Sequence, residues 1–284
     1  MKLLRFTDAG TVRLGVLDGG TIVALDALAS DYPTMLSIVA GGNEALEKVR
    51  SVLAARSITV PLAGASLLAP IEQPGKYMAI GMNFQKHVKE SEELGVEAPK
   101  KQFWFNKQTT CLSGPYDDID PGVTEMLDYE VELAVVVGAP AKRVDEADAR
   151  DHVFGYTVAN DVSARDWQFH SPTFTMGKSF DTHGPIGPWI TTDDEIADPH
   201  DLMMTLELNG EERQRSSTND MIYNIYDQIA YLSQVMTLEP GDLIATGTPS
   251  GVGIAGNRFM KAGDVVRVTI DGLGSIENRF VNER

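Results

Sequence analysis

The 284-residue sequence predicts an α+β chain that is mainly β. Three observations carry that expectation. Short runs rich in Val, Ile, Leu and aromatic residues recur along the chain, separated by Asp-Gly, Gly-Gly, Asn-Gly and Gly-Pro pairs. Helical periodicity is confined to a few stretches. The segment Ile71-Glu72-Gln73-Pro74-Gly75 breaks the pattern and reads as a boundary. Residues 1–70 are then a small N-terminal α+β domain, and 71–284 a larger second one.

In chain order, Leu3 to Phe6, Thr11 to Val16 and Thr21 to Ala24 read as strands joined by turns. A helical region from Tyr32 to Arg56 follows, interrupted at Gly41-Gly42. Lys76 to Ile80 is a strand. Asn83 is the expected N-cap of a helix running to Leu94 and stopped by Gly95. Phe103 to Lys107 is a strand and Cys111 to Asp120 a loop. Asp128 to Gly138 is the central strand, rich in Val and Leu. Asp145 to His152 is a short helix with an acidic start, and Phe154 to Asn160 another strand. Pro185-Ile186-Gly187-Pro188-Trp189 is turn chemistry feeding a strand. Leu202 to Leu208 is a strand closed by Asn209-Gly210, and Asn224 to Thr237 carries a helical apolar stripe. Leu243 to Thr246 is a strand, and Val265 to Ile270 with Ser275 to Val281 forms a closing hairpin.

Chemistry gathers on the central strand. Side chains alternate along a strand, so Glu130 and Glu132 point to one side and Val131 and Leu133 to the other. Paired carboxylates in a buried place lose hydration and repel each other, so a cation is expected between them. The competing reading is a strand face with two solvated glutamates. Asp161 ends the next strand, and hairpin-like pairing can bring it alongside. Glu130, Glu132 and Asp161 then form an all-oxygen set suited to Mg²⁺, Mn²⁺ or Ca²⁺. His87 and Glu90, three residues apart, share a helical face, where a carboxylate can orient an imidazole as a general base. The alternative is a scattered His on a polar surface helix. Arg165 and Asp166 read as a structural ion pair.

Other features exclude functions. A net charge of −17 argues against nucleic acid and anionic membranes as partners. One cysteine, Cys111, excludes an intrachain disulfide, fits a reducing cytoplasm, and reads as a buried small hydrophobe. Neither an apolar signal core nor a run of transmembrane length is present, so a cytoplasmic protein is expected. Gly177-Lys178-Ser179 lacks the phosphate-loop glycine, because Pro172 stands there; Lys178 is a point charge near an anion or a surface lysine. Gly251-Val252-Gly253-Ile254-Ala255-Gly256 matches a dinucleotide fingerprint but leaves no room for its helix before the next strand.

Assembled, these motifs resemble the fumarylacetoacetate hydrolase family from about Tyr77 to Val281. They are Gly81-Met82-Asn83-Phe84 with His87 and Glu90, Asp128-Tyr129-Glu130-Val131-Glu132, Asn160 to Asp166 with Gln168, Gly177 to Thr182, and Gly247 to Val252. The resemblance implies a mixed β-sandwich roll and a homodimer. It also implies metal ligands at Glu130, Glu132 and Asp161, and a His87–Glu90 base on a lid. Lys178, Gln168 and Thr248 would contact substrate or the metal shell. The implied activity is metal-dependent C–C cleavage of a 2,4-dioxo acid to pyruvate and a carboxylic acid. Oxaloacetate decarboxylation, isomerisation or lysis of a 2-oxo acid would use the same centre. Two departures stand out. No acid precedes the histidine in Met78-Ala79-Ile80-Gly81, so water is expected at that ligand place, and Phe84 stands where the family often has Tyr.

Overall fold

The computed structural model describes residues 1–282. The chain opens as a meander of β1 (Lys2–Asp8), β2 (Thr11–Asp18) and β3 (Thr21–Ala24). Helix α1 (Met35–Ala55) starts at a capping box between Thr34 and Ser37, which satisfies free amides of the first turn. It kinks at Gly42, whose φ of 52° only glycine adopts readily. Then come β4 (Thr59–Pro61), β5 (Ser66–Leu68), β6 (Tyr77–Gly81), α2 (Gln85–Glu93), β7 (Phe103–Asn106) and β8 (Leu112–Ser113). The central segment holds β9 (Leu127–Asp128), β10 (Val131–Val137), β11 (Val153–Asn160), β12 (Ser163–Ala164), α3 (Arg165–Gln168) and β13 (Gly184–Thr192). The last third adds β14 (Met203–Leu208), β15 (Glu211–Ser217), α4 (Ile225–Val235), β16 (Leu243–Ala245), β17 (Val265–Ile270) and β18 (Gly274–Arg279).

The large sheet runs β4-β3-β2-β1-β13-β11-β10-β16-β6-β7, with β5 beside β1 and β8 beside β13. The N-terminal meander is joined to it through β1 against β13. A second sheet, β15-β14-β17-β18, covers one face of the central strands. Parity along β10 explains the layering. Val131, Leu133, Val135 and Val137 pack with Leu206, Val266 and Val268 of the second sheet. Ala134 and Val136 face the other way, into a core shared with Ile38, Val39 and Val49 of α1. Both faces of β10 are therefore buried, and each fully buried Val or Leu contributes roughly 1.5–3 kcal/mol. Glu130 and Glu132 share the parity of Ala134 and sit where that core ends.

Four elements depart from the sequence expectations. The central strand is split, because β9 pairs with β12 while Glu130 N–H bonds the Asn160 side chain at 2.9 Å instead of a backbone carbonyl. Pro185 to Trp189 lie inside β13, at a register shift against β11 where a missing amide donor is tolerated. Glu146–His152 is a 3₁₀ helix. Asn83 does not cap α2: Phe84 holds that position without a side-chain bond. Asn83 is instead fully buried and binds Tyr223 and Thr246. Among the described residues no helix is long and apolar enough to cross a membrane.

Candidate active site

The pairing of β10 with β11 sets Val131 opposite Asn160, and Asp161 N–H donates to the Glu130 carbonyl at 2.9 Å. The turn after β11 therefore lies beside the start of β10. One carboxylate oxygen from each of Glu130, Glu132 and Asp161 falls within 4.8 Å of the other two, and all three side chains are buried. The 3₁₀ turn Thr175–Lys178 delivers the Lys178 ammonium, 2.8 Å from Glu130 Oε2 and 2.7 Å from Asp161 Oδ2.

Three neighbours complete the charge pattern. Lys107, at the end of β7 and 1% exposed, places its ammonium 2.6 Å from Asp161 Oδ1 and 2.5 Å from the Lys178 carbonyl. Arg165 donates to Asp128 Oδ2 (2.8 Å), Glu130 Oε1 (2.6 Å) and Gln168 Oε1 (2.9 Å). The expected Arg165–Asp166 pair is absent. Asp166 instead accepts from Thr124 Oγ1 and the Glu125 amide, while Arg165 turns inward to the carboxylates. Asp128 also accepts the amides of Gly253 and Ile254. The glycine-rich run thus presents its amides to a carboxylate of the protein, within a 3₁₀ turn.

The carboxylates are unequally served. Burial alone would raise the pKa of Glu130, but the Lys178 and Arg165 charges overcome it and hold it near 2. Glu132 is pushed well above the ordinary carboxylate range by burial and by the negative charges of Asp161 and Glu130. Among the described residues its hydrogen-bond donor is the Gly247 amide, at 3.0 Å. Asp128, Glu130, Glu132 and Asp161, against Lys107, Arg165 and Lys178, leave one negative charge in excess. With all four ionised, Glu132 is the one without a cationic partner among the described residues. An all-oxygen donor set with an unneutralised carboxylate fits a hard divalent cation.

A cavity of about 60 Å³ opens over this centre, lined among others by His87, Glu130, Glu132, Gln168, Lys178 and Thr248. Asp161 lies beneath it, bonded to Lys178. His87 sits on α2 with Nδ1 3.1 Å from Glu90 Oε2, and the other Glu90 oxygen accepts the Gly251 amide at 2.9 Å. Thr248 Oγ1 accepts from Gln214 at 2.9 Å. His87, Glu130, Glu132, Gln168, Lys178 and Thr248 thus line one cavity, and Glu90 and Asp161 are hydrogen-bonded to His87 and Lys178 of that lining. The structure adds Lys107, Asp128, Arg165 and Gln214, to which the sequence assigned no role at the site. Asp128 and Arg165 stood within the quoted motifs, whereas Lys107 closes an aromatic strand and carries no local signal.

The comparisons with known proteins bear on the family. Residues 76–281 match the family model "Fumarylacetoacetate (FAA) hydrolase C-terminal", and residues 1–70 match "Rv2993c-like, N-terminal". The chain belongs to the fumarylacetoacetate hydrolase family. Within that family it is 42% identical to the mitochondrial oxaloacetate tautomerase fahd2 of Xenopus laevis, over 99% of this chain and 90% of that one. Among solved structures it resembles a maleylpyruvate hydrolase from Sphingobium sp. SYK-6 in complex with manganese(II) and pyruvate. That match has 33% identity, a TM-score of 0.82 and full coverage of both chains, at 100% each. It also resembles a 2-hydroxyhepta-2,4-diene-1,7-dioate isomerase from Mycobacterium marinum, at 32% identity and a TM-score of 0.77, covering 100% of this chain and 99% of that one. Members of the fumarylacetoacetate hydrolase family with this fold therefore carry hydrolase, isomerase and tautomerase names.

Proposed function

We propose that the chain is a divalent-metal-dependent enzyme that binds a 2-oxo acid over Glu130, Glu132 and Asp161 and forms its enolate, interconverting the keto and enol forms of oxaloacetate. The observation that carries this reading is the convergence of three buried carboxylates within 4.8 Å, of which Glu132 has no cationic partner among the described residues. A dication bound there would leave the pocket suited to an anion. Identity over nearly the whole chain with the Xenopus tautomerase supports the substrate.

Glu130, Glu132 and Asp161 would hold the ion, Mg²⁺ by our reading, with Mn²⁺ or Ca²⁺ suited to the same oxygens. When bound it supplies Lewis-acid stabilisation of the charge that develops on the 2-oxo oxygen. His87, oriented by Glu90, takes a proton from C3 of the substrate, and the same proton returns to oxygen in the enol. Lys178 places an ammonium beside the developing charge, while Gln168 and Thr248 orient the ligand from the walls. The protein acts as a homodimer in the cytoplasm.

A second reading is hydrolytic cleavage of a 2,4-dioxo acid to pyruvate and a carboxylic acid. The His87–Glu90 pair at the cavity edge favours it, since it can equally deprotonate water. Ketonisation of enol-oxaloacetate, followed by ultraviolet absorbance, and pyruvate release from acylpyruvates separate the two. Faster ketonisation without pyruvate release supports the tautomerase. Pyruvate release from acylpyruvates alone supports the hydrolase, and silence in both assays overturns the function.

A further inference from the structure

The cavity over the carboxylate centre is walled partly by residues of paired strands and partly by a connecting segment. Glu130 and Glu132 are rooted at the start of β10 and cannot move without breaking the sheet. Phe103 and Phe105 stand on β7, which is hydrogen-bonded to β6. The remaining wall includes Phe174, on the exposed connector between Gln168 and Lys178.

Phe174 is an unusual residue. Its backbone is left-handed, with φ of 61°, a conformation rare for a bulky side chain. Its ring lies edge-on to Phe103 at 5.0 Å and to Phe169 at 5.8 Å, and tilted against Phe105 at 6.2 Å. The Lys178 ammonium stands 5.0 Å from the Phe105 ring centroid. The apolar wall formed by Phe103, Phe105 and Phe174 therefore meets the charged floor at Lys178. Phe174 is held by ring contacts and by turn bonds to Ser171 and Gly177, outside any strand ladder.

From this we infer that Phe174 is the specificity-determining residue of the site: its ring caps the end of the cavity away from the carboxylates and limits the substrate to 2-oxo acids with a small C3 substituent. The inference rests on the 2-oxo-acid reading above. Shortening the side chain opens that end without touching the carboxylates. In a hydrophobic pocket one methylene is worth roughly 10-fold or more in discrimination, and an aromatic ring exceeds that.

The test compares wild type, Phe174→Ala and Phe174→Leu, all loaded with Mn²⁺, on oxaloacetate and phenylpyruvate. The expected result is a rise of roughly 10-fold or more in the phenylpyruvate-to-oxaloacetate ratio of kcat/KM for F174A, with F174L between. Both variants keep a β-carbon, so the left-handed backbone is equally burdened in each. Calorimetric binding of pyruvate and phenylpyruvate reads the same size preference without turnover. An unchanged preference in F174A overturns the gate while the 2-oxo-acid site stands, and if F174A does not fold, an unchanged preference in F174L does the same. Absence of binding of either acid to wild type overturns the site reading and the gate together.

Discussion

At the scale of single residues, the site is a problem in charge placement. Glu130 is held near 2 by two cations, so its stabilising contribution is complete above its ordinary value of 4.5. That contribution is lost as pH falls toward 2. Glu132 behaves oppositely. Its folded-state pKa is raised, so the folded chain binds a proton that the unfolded chain releases, and metal-free stability falls as pH rises above 4.5. Metal-free Glu132→Gln is therefore expected to melt at or above wild type at pH 8, with the difference shrinking toward pH 4.5. Thermal melts across that range check it, and a Gln variant that melts lower at pH 8 would contradict the charge argument. His87 carries a different expectation. His87→Ala should reduce turnover about 10²–10⁴-fold while Mn²⁺ binding persists, since its ring is hydrogen-bonded to Glu90 and is not one of the three converging ligands. Loss of metal affinity in that variant would contradict the assignment.

At the scale of elements, two segments hold α2 to the centre. Asn83 precedes α2 and ties it to the residues before α4 and to the end of β16, through three side-chain bonds to Tyr223 and Thr246. Replacing it by Ala removes bonds worth about 1 kcal/mol each, so Asn83→Ala should lower the unfolding free energy by about 3 kcal/mol in urea titrations. Gly251 presents its amide to Glu90 from a φ of 102°, where a β-carbon would overlap the Arg213 carbonyl. Gly251→Ala should therefore lower kcat while leaving Mn²⁺ affinity unchanged, as measured by steady-state kinetics beside calorimetry.

Both segments mark the limit of what local sequence shows. Asn before a helix reads as a cap because a cap is a local device, and the bonds Asn83 makes are with residues more than a hundred positions away. Arg165 next to Asp166 reads as a pair because neighbours in sequence are visible, whereas Asp128 and Glu130 become its partners only through the pairing of β9 with β12. Lys107 is the extreme case, since nothing near it announces that its strand ends against Asp161. By contrast Glu130, Glu132 and the alternation of β10 were legible, because a period of two follows from strand geometry alone.

At the scale of the molecule, the mainly β architecture followed from turn residues and short apolar runs. The order of the large sheet did not, since β1 against β13 and β16 against β6 are pairings of distant segments. The whole chain carries a net charge of −17, while the proposed substrate is an anion. Long-range repulsion should slow its approach, so kcat/KM is expected to rise as ionic strength increases from about 10 mM to 0.1 M, where the screening length falls to about 10 Å. Initial rates across that series check it, and a monotonic fall would show that the local positive field governs capture. The claim on which everything stands is that Glu130, Glu132 and Asp161 share one divalent ion. Calorimetric titration of Mn²⁺ into chelator-stripped wild type and Glu132→Gln tests it most directly. One ion bound per chain in wild type, and a loss of that binding in the variant, is the predicted result; equal binding in both, or none in wild type, would contradict it.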